Sequence, residues 1–504
     1  MVVILVEICY NRIDKREKDM LTEELLELTE EIRRGKTESQ TLEVKAAHNG
    51  CPRRLYDTLS AFSNQDSGGI IVFGLDEQTG FSVVGVYDVQ DLQKHVTEQC
   101  LQMEPPVRAV FTIAEIEGRI VCSAEIPAVE LTERPCYYAG VGRVRGSFVR
   151  VGEAVLPMTD LELYSYEAFR QHQHDDERVV ERATMDMLDE ESVQSYIMER
   201  KKGRSAFSRL SPEQINEMLC ITGDGVPTLA AVLNFSIFPQ GYFPQFCITA
   251  IVVPGTEPGA VSEDQVRFIN NRRIEGTISQ MFEEAMQFCS RSMKVKTIID
   301  PATGKRTDRT EYPMNAVREA ILNALIHRDY SVHTEGTPVQ IVFFTDRLEI
   351  HSPGNLYGRM TIDQLGWSRP DLRNPTLAVM AEALTSAENR YSGIPTIRRE
   401  MAGYGLPEPV FENRRNEFVV TLYNGESSAS IIDDSLIDRD IMTTDGLIEF
   451  CRKPRSRQEI ADFLGVRTIN YAVNRYIRPL ISEGRLQMMN PDKPRSRYQK
   501  YYSL

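Results

Sequence analysis

Residues 36–86 read KTESQTLEVKAAHNGCPRRLYDTLSAFSNQDSGGIIVFGLDEQTGFSVVGV, and the order of signals in them decides the fold of the first part of the chain. Arg53 to Phe62 follows a helical pattern, a polar turn closes on Gly68 and Gly69, and the apolar run from Ile70 to Phe73 reads as a buried strand. Gly74 and an acidic turn from Asp76 to Gly80 lead into another β-rich run at Phe81 to Val86. A helix feeding a buried strand and a tight hairpin is α/β construction. Glu38, Glu43 and Asp76 lie near the ends of these elements. In a strand Glu38 and Glu43 face opposite sides, whereas at a turn entering a strand both reach one cleft. Gathered there, the three carboxylates offer hard oxygen ligands to Mg²⁺ or Mn²⁺ for phosphodiester hydrolysis. The competing reading pairs Glu43 with Lys45 in a salt bridge and leaves Asp76 to serve its turn.

These residues carry a resemblance. E-S-x-x-L-E-x-K at Glu38 to Lys45, A-F-S-N-x-x-x-G-G at Ala61 to Gly69 and F-G-L-D at Phe73 to Asp76 resemble the Schlafen AlbA-type domain, a nucleic-acid-binding family formerly called a divergent AAA group. R-P-x-Y at Arg134 to Tyr137 and GRVRGSFVRVG at Gly142 to Gly152 are similar to its closing strands. The resemblance implies an AlbA-type α/β domain over residues 20–155. Because some animal Schlafen proteins are nucleases with an acidic trio, it also implies Glu38, Glu43 and Asp76 as catalytic residues of a metal-dependent endonuclease. The alternation in GRVRGSFVRV fits a strand carrying Arg143, Arg145 and Arg150 as a positive strip or as a solvated face.

At 504 residues the chain exceeds one hydrophobic core, and three domains are expected, at 20–155, 156–425 and 444–504. Apolar content of 41% and charged content of 26% describe a soluble globular chain. Nine cysteines without a C-x-x-C pair point to reduced thiols and a cytoplasmic setting. MVVILVEICY at the start is too short to span a membrane and lacks a preceding basic flank, so no membrane partner is expected. The formal charge of −15 is unevenly spread: residues 451–504 sum to +8 and the rest to −23. A basic tail on an acidic body predicts double-stranded DNA bound through the tail.

A second cluster of signal begins at Tyr312. In PMNAVREAILNALIHRDY, Glu319, Asn323 and His327 fall at i, i+4 and i+8 on one helical face, while Ala320, Leu322, Ala324, Leu325 and Ile326 supply apolar surface. Arg328 and Asp329 follow. A carboxylate there can orient water, an amide oxygen can ligate Mg²⁺, and an imidazole or guanidinium can face phosphate. R-E-A-x-x-N-A-x-x-H-R-D-Y resembles the Asn-box helix of GHKL-type ATPases and, more narrowly, the ATP-binding domain of RecG-related transcriptional regulators. L-E-I-H-S-P-G-N-L at Leu348 to Leu356, R-N-P at Arg373 to Pro375, S-G-I at Ser392 to Ile394 and the glycine-proline run from Met401 to Glu412 agree. The resemblance implies a GHKL-like α/β sandwich holding ATP and Mg²⁺. Glu319 would be the catalytic, water-orienting acid and Asn323 the metal ligand. Glu319, Asn323, His327, Arg328, Gly354, Gly393 and Gly405 would contact the cofactor. One departure stands out: the loop that in the wider fold supplies an adenine-reading Asp reads HSPG here, with Ser352 and Pro353 and no carboxylate. No G-x-x-x-x-G-K-[ST] loop is present, so no helicase activity is expected; the enzyme readings are a weak ATPase or a nuclease.

The QHQHDDE run at Gln171 to Glu177 reads as a solvated linker, and Ser427 to Thr443 as another. Beyond it Ser456 caps a helix over Arg457 to Phe463, a second helix runs to Leu480, and a strand and basic turn follow. This spacing predicts a C-terminal winged helix-turn-helix, with Arg467, Arg475 and Arg478 in the recognition-helix region and Lys493, Arg495 and Arg497 in the wing as DNA-binding residues. Docking or dimerisation is the alternative use of such a domain. The expected whole is a multidomain α+β protein acting as a nucleotide-responsive, DNA-binding transcriptional regulator and forming a homo-oligomer. A metal-dependent endonuclease and a non-catalytic oligomeric assembly module are the alternatives.

Overall fold

The computed structural model describes residues 20–503 except 262, 263, 265, 300–305, 386–392, 426–445, 449, 464–472, 483, 484 and 490–498. Residues up to Leu422 form one compact unit and Tyr423–Leu504 another.

The first unit begins with a four-stranded sheet in the order Leu42–Lys45, Gly69–Phe73, Arg119–Ile126, Val110–Ile116. Its first pair is parallel, with Glu43 opposite Ile71 and Lys45 opposite Phe73, and the others are antiparallel. The two-residue period of the central strand sorts its side chains into two layers. Ile71 and Phe73 join Leu59, Phe62, Leu92 and Val96, so helices Tyr56–Ser63 and Val89–Leu101 cover one face. Val72 joins Leu25, Ile32, Val44 and Val121, so helix Thr22–Gly35 covers the other. Gly69 is required where strand meets helix, because a Cβ there would fall on the Phe62 ring. GRVRGSFVRV does not form the expected strip. Arg143–Gly146 is a helical turn, closed by the Gly146 N–H on the Gly142 carbonyl at 2.8 Å, and only Phe148–Val151 is a strand; Gly146 lies against the Tyr138 backbone and leaves no room for a side chain.

The rest of the unit is built on a six-stranded sheet in the order Asn270–Ile274, Ile248–Val252, Val339–Phe343, Arg347–Pro353, Glu417–Tyr423, Val410–Arg414. Helices Leu229–Phe235, Ile278–Ser292, Met314–Ile326 and Pro375–Thr385 share one continuous apolar core with it, and Gly393–Gly403 packs along Met314–Ile326. In Met314–Ile326, residues Ala316, Val317, Ala320, Ile321, Ala324 and Leu325 are buried, and the small ones admit close neighbours. Ser211 and Pro212 start a further helix, with a reciprocal Ser211–Gln214 capping box.

QHQHDDE is not a solvated linker. Asp175 and Asp176 are buried, and Asp176 Oδ2 accepts the Leu377 N–H at 2.7 Å, capping the helix that starts at Pro375.

The second unit has a three-stranded antiparallel sheet in the order Arg455–Ser456, Lys500–Tyr502, Gln487–Met488. Helix Arg457–Phe463 begins with a Ser456–Glu459 capping box, and a π-helical turn at Val473–Ile477 runs into helix Arg478–Ser482. Leu447, Cys451, Ile460, Ile477, Leu480, Leu486 and Tyr501 form its core. The linker expected at Ser427 to Thr443 lies outside the described residues. Among the described residues no helix is long and apolar enough to cross a membrane, and the eight described cysteines are free thiols.

Candidate functional site

The carboxylates Glu38 and Glu43 do come together, but around a cation supplied by the chain itself. The Arg150 side chain is fully buried; it donates to Glu43 Oε2, to Glu38 Oε2 at 3.2 Å, and to the carbonyls of Ser39 and Leu42 at 3.0 and 2.9 Å. The other Glu38 oxygen accepts the Val44 N–H at 2.8 Å, and the other Glu43 oxygen accepts from Lys45. Every carboxylate oxygen of the pair is therefore engaged. Burial raises Glu43, but Lys45 and Arg150 outweigh it and hold the group below its ordinary value. Burial pushes Glu38 up, with the Glu43 charge adding and the Val44 N–H opposing. Asp76 is not part of this network: its Oδ1 accepts the Gln78 N–H at 3.0 Å and caps its own turn. Among the described residues no group of three His, Cys, Asp or Glu is placed to hold a metal ion, so the expected trio is not assembled as a metal site. The AlbA-like motif residues work structurally as well. Asn64 bonds the Cys136 N–H and carbonyl at 2.7 and 2.9 Å and the Phe148 carbonyl at 3.2 Å.

The second cluster lines a cavity of about 180 Å³ between helix Met314–Ile326, strand Arg347–Pro353, the 354–373 segment and the start of helix Gly393–Gly403. An apolar cavity of about 150 Å³ accepts a benzene ring, so this volume admits a flat ring. Glu319, Asn323 and His327 face it together, as their spacing predicts, and Gly354 and Gly393 line it with them. Ile350, Leu356, Met360, Leu365, Phe418 and Val420 supply its apolar wall.

Gly393 is where the site is tightest. A Cβ there would stand 3.1 Å from Asn323 Nδ2 and 3.2 Å from Glu319 Oε2. A side chain there would push the pair aside by a few tenths of an ångström. The leading N–H groups of a helix have no intrahelical acceptor, and Pro395 in that turn forfeits none that matters. Arg318 Nε lies 3.9 Å from Glu319 Oε1. His327 is exposed along the wall of the cavity, and the packing around it together with the nearby Arg373 charge pushes the imidazole below its ordinary value, so it is neutral.

Two residues expected at the cofactor are elsewhere. Arg328 turns away from the cavity and is 1% exposed; its guanidinium donates to the carbonyls of Thr334 and Thr337 at 2.9 and 2.5 Å and lies over the Phe246 ring. Gly405, at φ 65°, serves the turn after helix Gly393–Gly403 and does not line the cavity. Ser352 confirms the departure read in HSPG: its hydroxyl donates to the Ala324 carbonyl at 2.9 Å and so braces the helix.

Sequence reasoning missed the residues that hold the far wall. Arg373 pairs with Asp329 and donates to the Asn355 carbonyl at 2.7 Å, while Asn374 Nδ2 donates to the Ile326 and Arg328 carbonyls at 2.8 and 2.7 Å. Asn374 thus satisfies open carbonyls at the end of the helix that bears Asn323. Asp371 lines the cavity too. The R-N-P motif marks the place, but nothing local in the sequence announces Asp371.

Of the residues expected at DNA, Arg478 is exposed at the start of its helix, and Arg475 belongs to the π-helical turn. Arg467, Lys493, Arg495 and Arg497 lie outside the described residues.

Three family models match parts of the chain. Residues 38–159 match the family described as "Schlafen, AlbA_2". Residues 336–422 match "Putative ATP-dependent DNA helicase recG C-terminal", an HATPase_c model; this match starts after the helix carrying Glu319 and Asn323. Residues 445–502 match "Filamentation induced by cAMP protein Fic-like, C-terminal domain". The AlbA-like and ATPase-like resemblances therefore stand, and the winged helix-turn-helix does not: the C-terminal domain is Fic-like. Two short helices followed by a small sheet and a basic turn do not single out one small domain, and that spacing misled the sequence reading. With the winged helix go the recognition-helix and wing roles given to Arg467, Arg475, Arg478, Lys493, Arg495 and Arg497. No curated protein matches the chain. Among solved structures, the DIP2311 protein from Corynebacterium diphtheriae is 18% identical over 92% of this chain and 93% of its own, with a TM-score of 0.39. The N-terminal domain of a RecG-related protein from Nitrosomonas europaea is 23% identical over 26% of this chain and 92% of its own, with a TM-score of 0.22. At these scores neither likeness bears on fold or function.

Proposed function

We propose that this chain is a nucleotide-responsive regulator that binds an adenine nucleotide with Mg²⁺ in the cavity beside Glu319 and Asn323. The observation that carries the reading is the approach of Gly393 to that pair, because it leaves a space bounded by a carboxylate, an amide and the start of a helix. Backbone N–H groups at a helix start attract phosphate oxygens, and the helix dipole favours their charge. The donor set fits the group. Asn323 Oδ1 is a hard oxygen ligand for Mg²⁺, Glu319 can orient a water, and the apolar wall from Ile350 to Phe418 accepts a ring. A bound Mg²⁺ would neutralise phosphate charge beside Glu319. His327, being neutral, can donate to a phosphate oxygen without adding a net charge.

Trp367 is the sole tryptophan and is 81% exposed, between Gly366 and Ser368, which line the cavity. Its fluorescence should therefore report occupancy on titration with ATP and Mg²⁺. Saturable quenching or enhancement, lost in Asn323→Ala, is the expected result. No heat by calorimetry and no fluorescence change at millimolar ATP would overturn the reading.

The regulated partner in this proposal is DNA. Its support is the AlbA_2 match and the +8 charge of residues 451–504. Attraction of that origin weakens steeply with salt through counterion release. Anisotropy of labelled duplex at low and physiological salt tests it, and a chain that leaves the duplex free at low salt is no DNA-binding regulator.

A further inference from the structure

We infer that the turn at Arg415 and Asn416 is the latch through which an occupied cavity regulates the AlbA-like half, with Arg415 as its contact. The inference rests on the nucleotide reading above. The turn joins strands Val410–Arg414 and Glu417–Tyr423, and on one side it holds the cavity rim. Asn413 Oδ1 accepts the Leu356 N–H at 2.8 Å, Asn355 Oδ1 accepts the Asn416 N–H at 2.8 Å, and the Asn416 carbonyl accepts the Gly354 N–H at 2.9 Å. Gly354, Asn355 and Leu356 all line the cavity. On the other side Arg415 Nη2 donates to the Pro157 carbonyl at 2.7 Å and to Glu162 Oε2 at 3.1 Å. Pro157 ends the strand Ala154–Pro157, whose Val155 stands opposite Arg150 on the neighbouring strand. The latch therefore closes on the hairpin that carries the cation between Glu38 and Glu43.

The contact at Arg415 is one that can open. When the guanidinium leaves, Glu162 Oε2 keeps the Thr159 N–H at 2.7 Å and the Thr159 hydroxyl at 2.9 Å. The Arg415 side chain, already 31% exposed, passes into water, as does the carbonyl of the exposed Pro157. No group is stranded, so separation costs little. The pair of Arg373 with Asp329 is buried and has no such alternative. A ligand lying against Gly354 and Leu356 restrains the rim, the rim restrains the turn, and the closed contact is favoured. By reciprocity the closed contact favours the ligand by the same factor.

The test is amide hydrogen exchange on the full chain with and without ATP and Mg²⁺, which reads local opening segment by segment. In the wild type ATP should slow exchange in helix Met314–Ile326 and also, by about fivefold or more, in residues 148–157, the lower end of coupling between two sites. In Arg415→Ala the slowing in helix Met314–Ile326 should remain and that in residues 148–157 disappear, with ATP affinity by Trp367 fluorescence lowered by the factor lost. Glu162→Gln keeps an oxygen for Thr159 and removes the charge facing Arg415. Combined with Arg415→Ala it should add nothing further, whereas independent effects would sum. A thermal melt of each variant sets a temperature at which all are folded. Wild-type protection that stops at the cavity, protection of residues 148–157 that survives in Arg415→Ala, or effects of the two substitutions that sum would overturn the inference while leaving nucleotide binding intact. No protection anywhere and no fluorescence change in the wild type would instead overturn the nucleotide reading beneath it.

Discussion

Gly393 stands so close to Asn323 that a single methyl group on its Cα would come within 3.1 Å of the Asn323 amide nitrogen. Gly393→Ala is therefore expected to push Glu319 and Asn323 aside. ATP affinity by Trp367 fluorescence, measured where the variant is folded, should fall at least about tenfold, roughly the effect of losing one hydrogen bond. Undiminished affinity would remove Gly393 from the site.

Arg150 is predicted to be structural. Removing it as Arg150→Met leaves two buried carboxylates without their cation, a loss of about 3–5 kcal/mol for a broken buried pair. Adding Glu38→Gln and Glu43→Gln to that variant should restore much of the lost melting temperature. If the triple variant is no more stable than Arg150→Met, charge compensation is not what holds these strands.

Asp176 predicts a particular pH dependence. Burial, partly offset by the Leu377 N–H, pushes its carboxyl up to about 7. Between the ordinary carboxylate range and about pH 7 the folded chain retains a proton that the unfolded chain has released. Stability is thus lost as pH rises through that window, and the full loss is reached above it. Asp176→Asn keeps the acceptor for Leu377 and removes the charge. Its gain in melting temperature should be absent near pH 4, grow toward pH 7 and level off beyond. A gain independent of pH would contradict the assignment.

Arg328 should behave as a scaffold residue. Arg328→Met takes a donor from the buried Thr334 carbonyl, which keeps the Thr337 N–H, and from the carbonyl of the exposed Thr337, and it strips the guanidinium from the Phe246 ring, at about 1–3 kcal/mol in all. The melting temperature should drop, while ATP affinity, measured where the variant is folded, stays within about threefold of wild type, well under the effect of one hydrogen bond. A selective loss of ATP binding would return Arg328 to the cavity.

What could be read from the sequence was local. Spacing along one helix was enough to put Glu319, Asn323 and His327 on a common wall, and the apolar run from Ile70 to Phe73 marked the central strand Gly69–Phe73 of the first sheet. What could not be read was the meeting of distant segments. Arg150 reaches Glu43 across 107 positions, and no periodicity encodes that. Asp176 looks like a solvent-exposed acid until a helix that begins some two hundred residues later presents the Leu377 N–H to it, and Asp175 does so until Tyr164 donates its hydroxyl to it. The C-terminal domain failed differently: its helices and basic residues carry charge and length but too little else to separate one small fold from another.

The segment behind the cavity has a further consequence. Arg373 and Asn374 clasp Asp329 and the end of the Asn323 helix on one side, while the Arg373 carbonyl meets His174 Nδ1 at 3.0 Å and the following helix rests on Asp176. The stretch that joins the AlbA-like and ATPase-like halves is thereby tethered to Arg373, which braces the cavity, and to Leu377 in the helix that follows it. A ligand cannot shift that wall without tugging on the stretch that joins the halves, which gives an occupied cavity a mechanical handle on the rest of the chain.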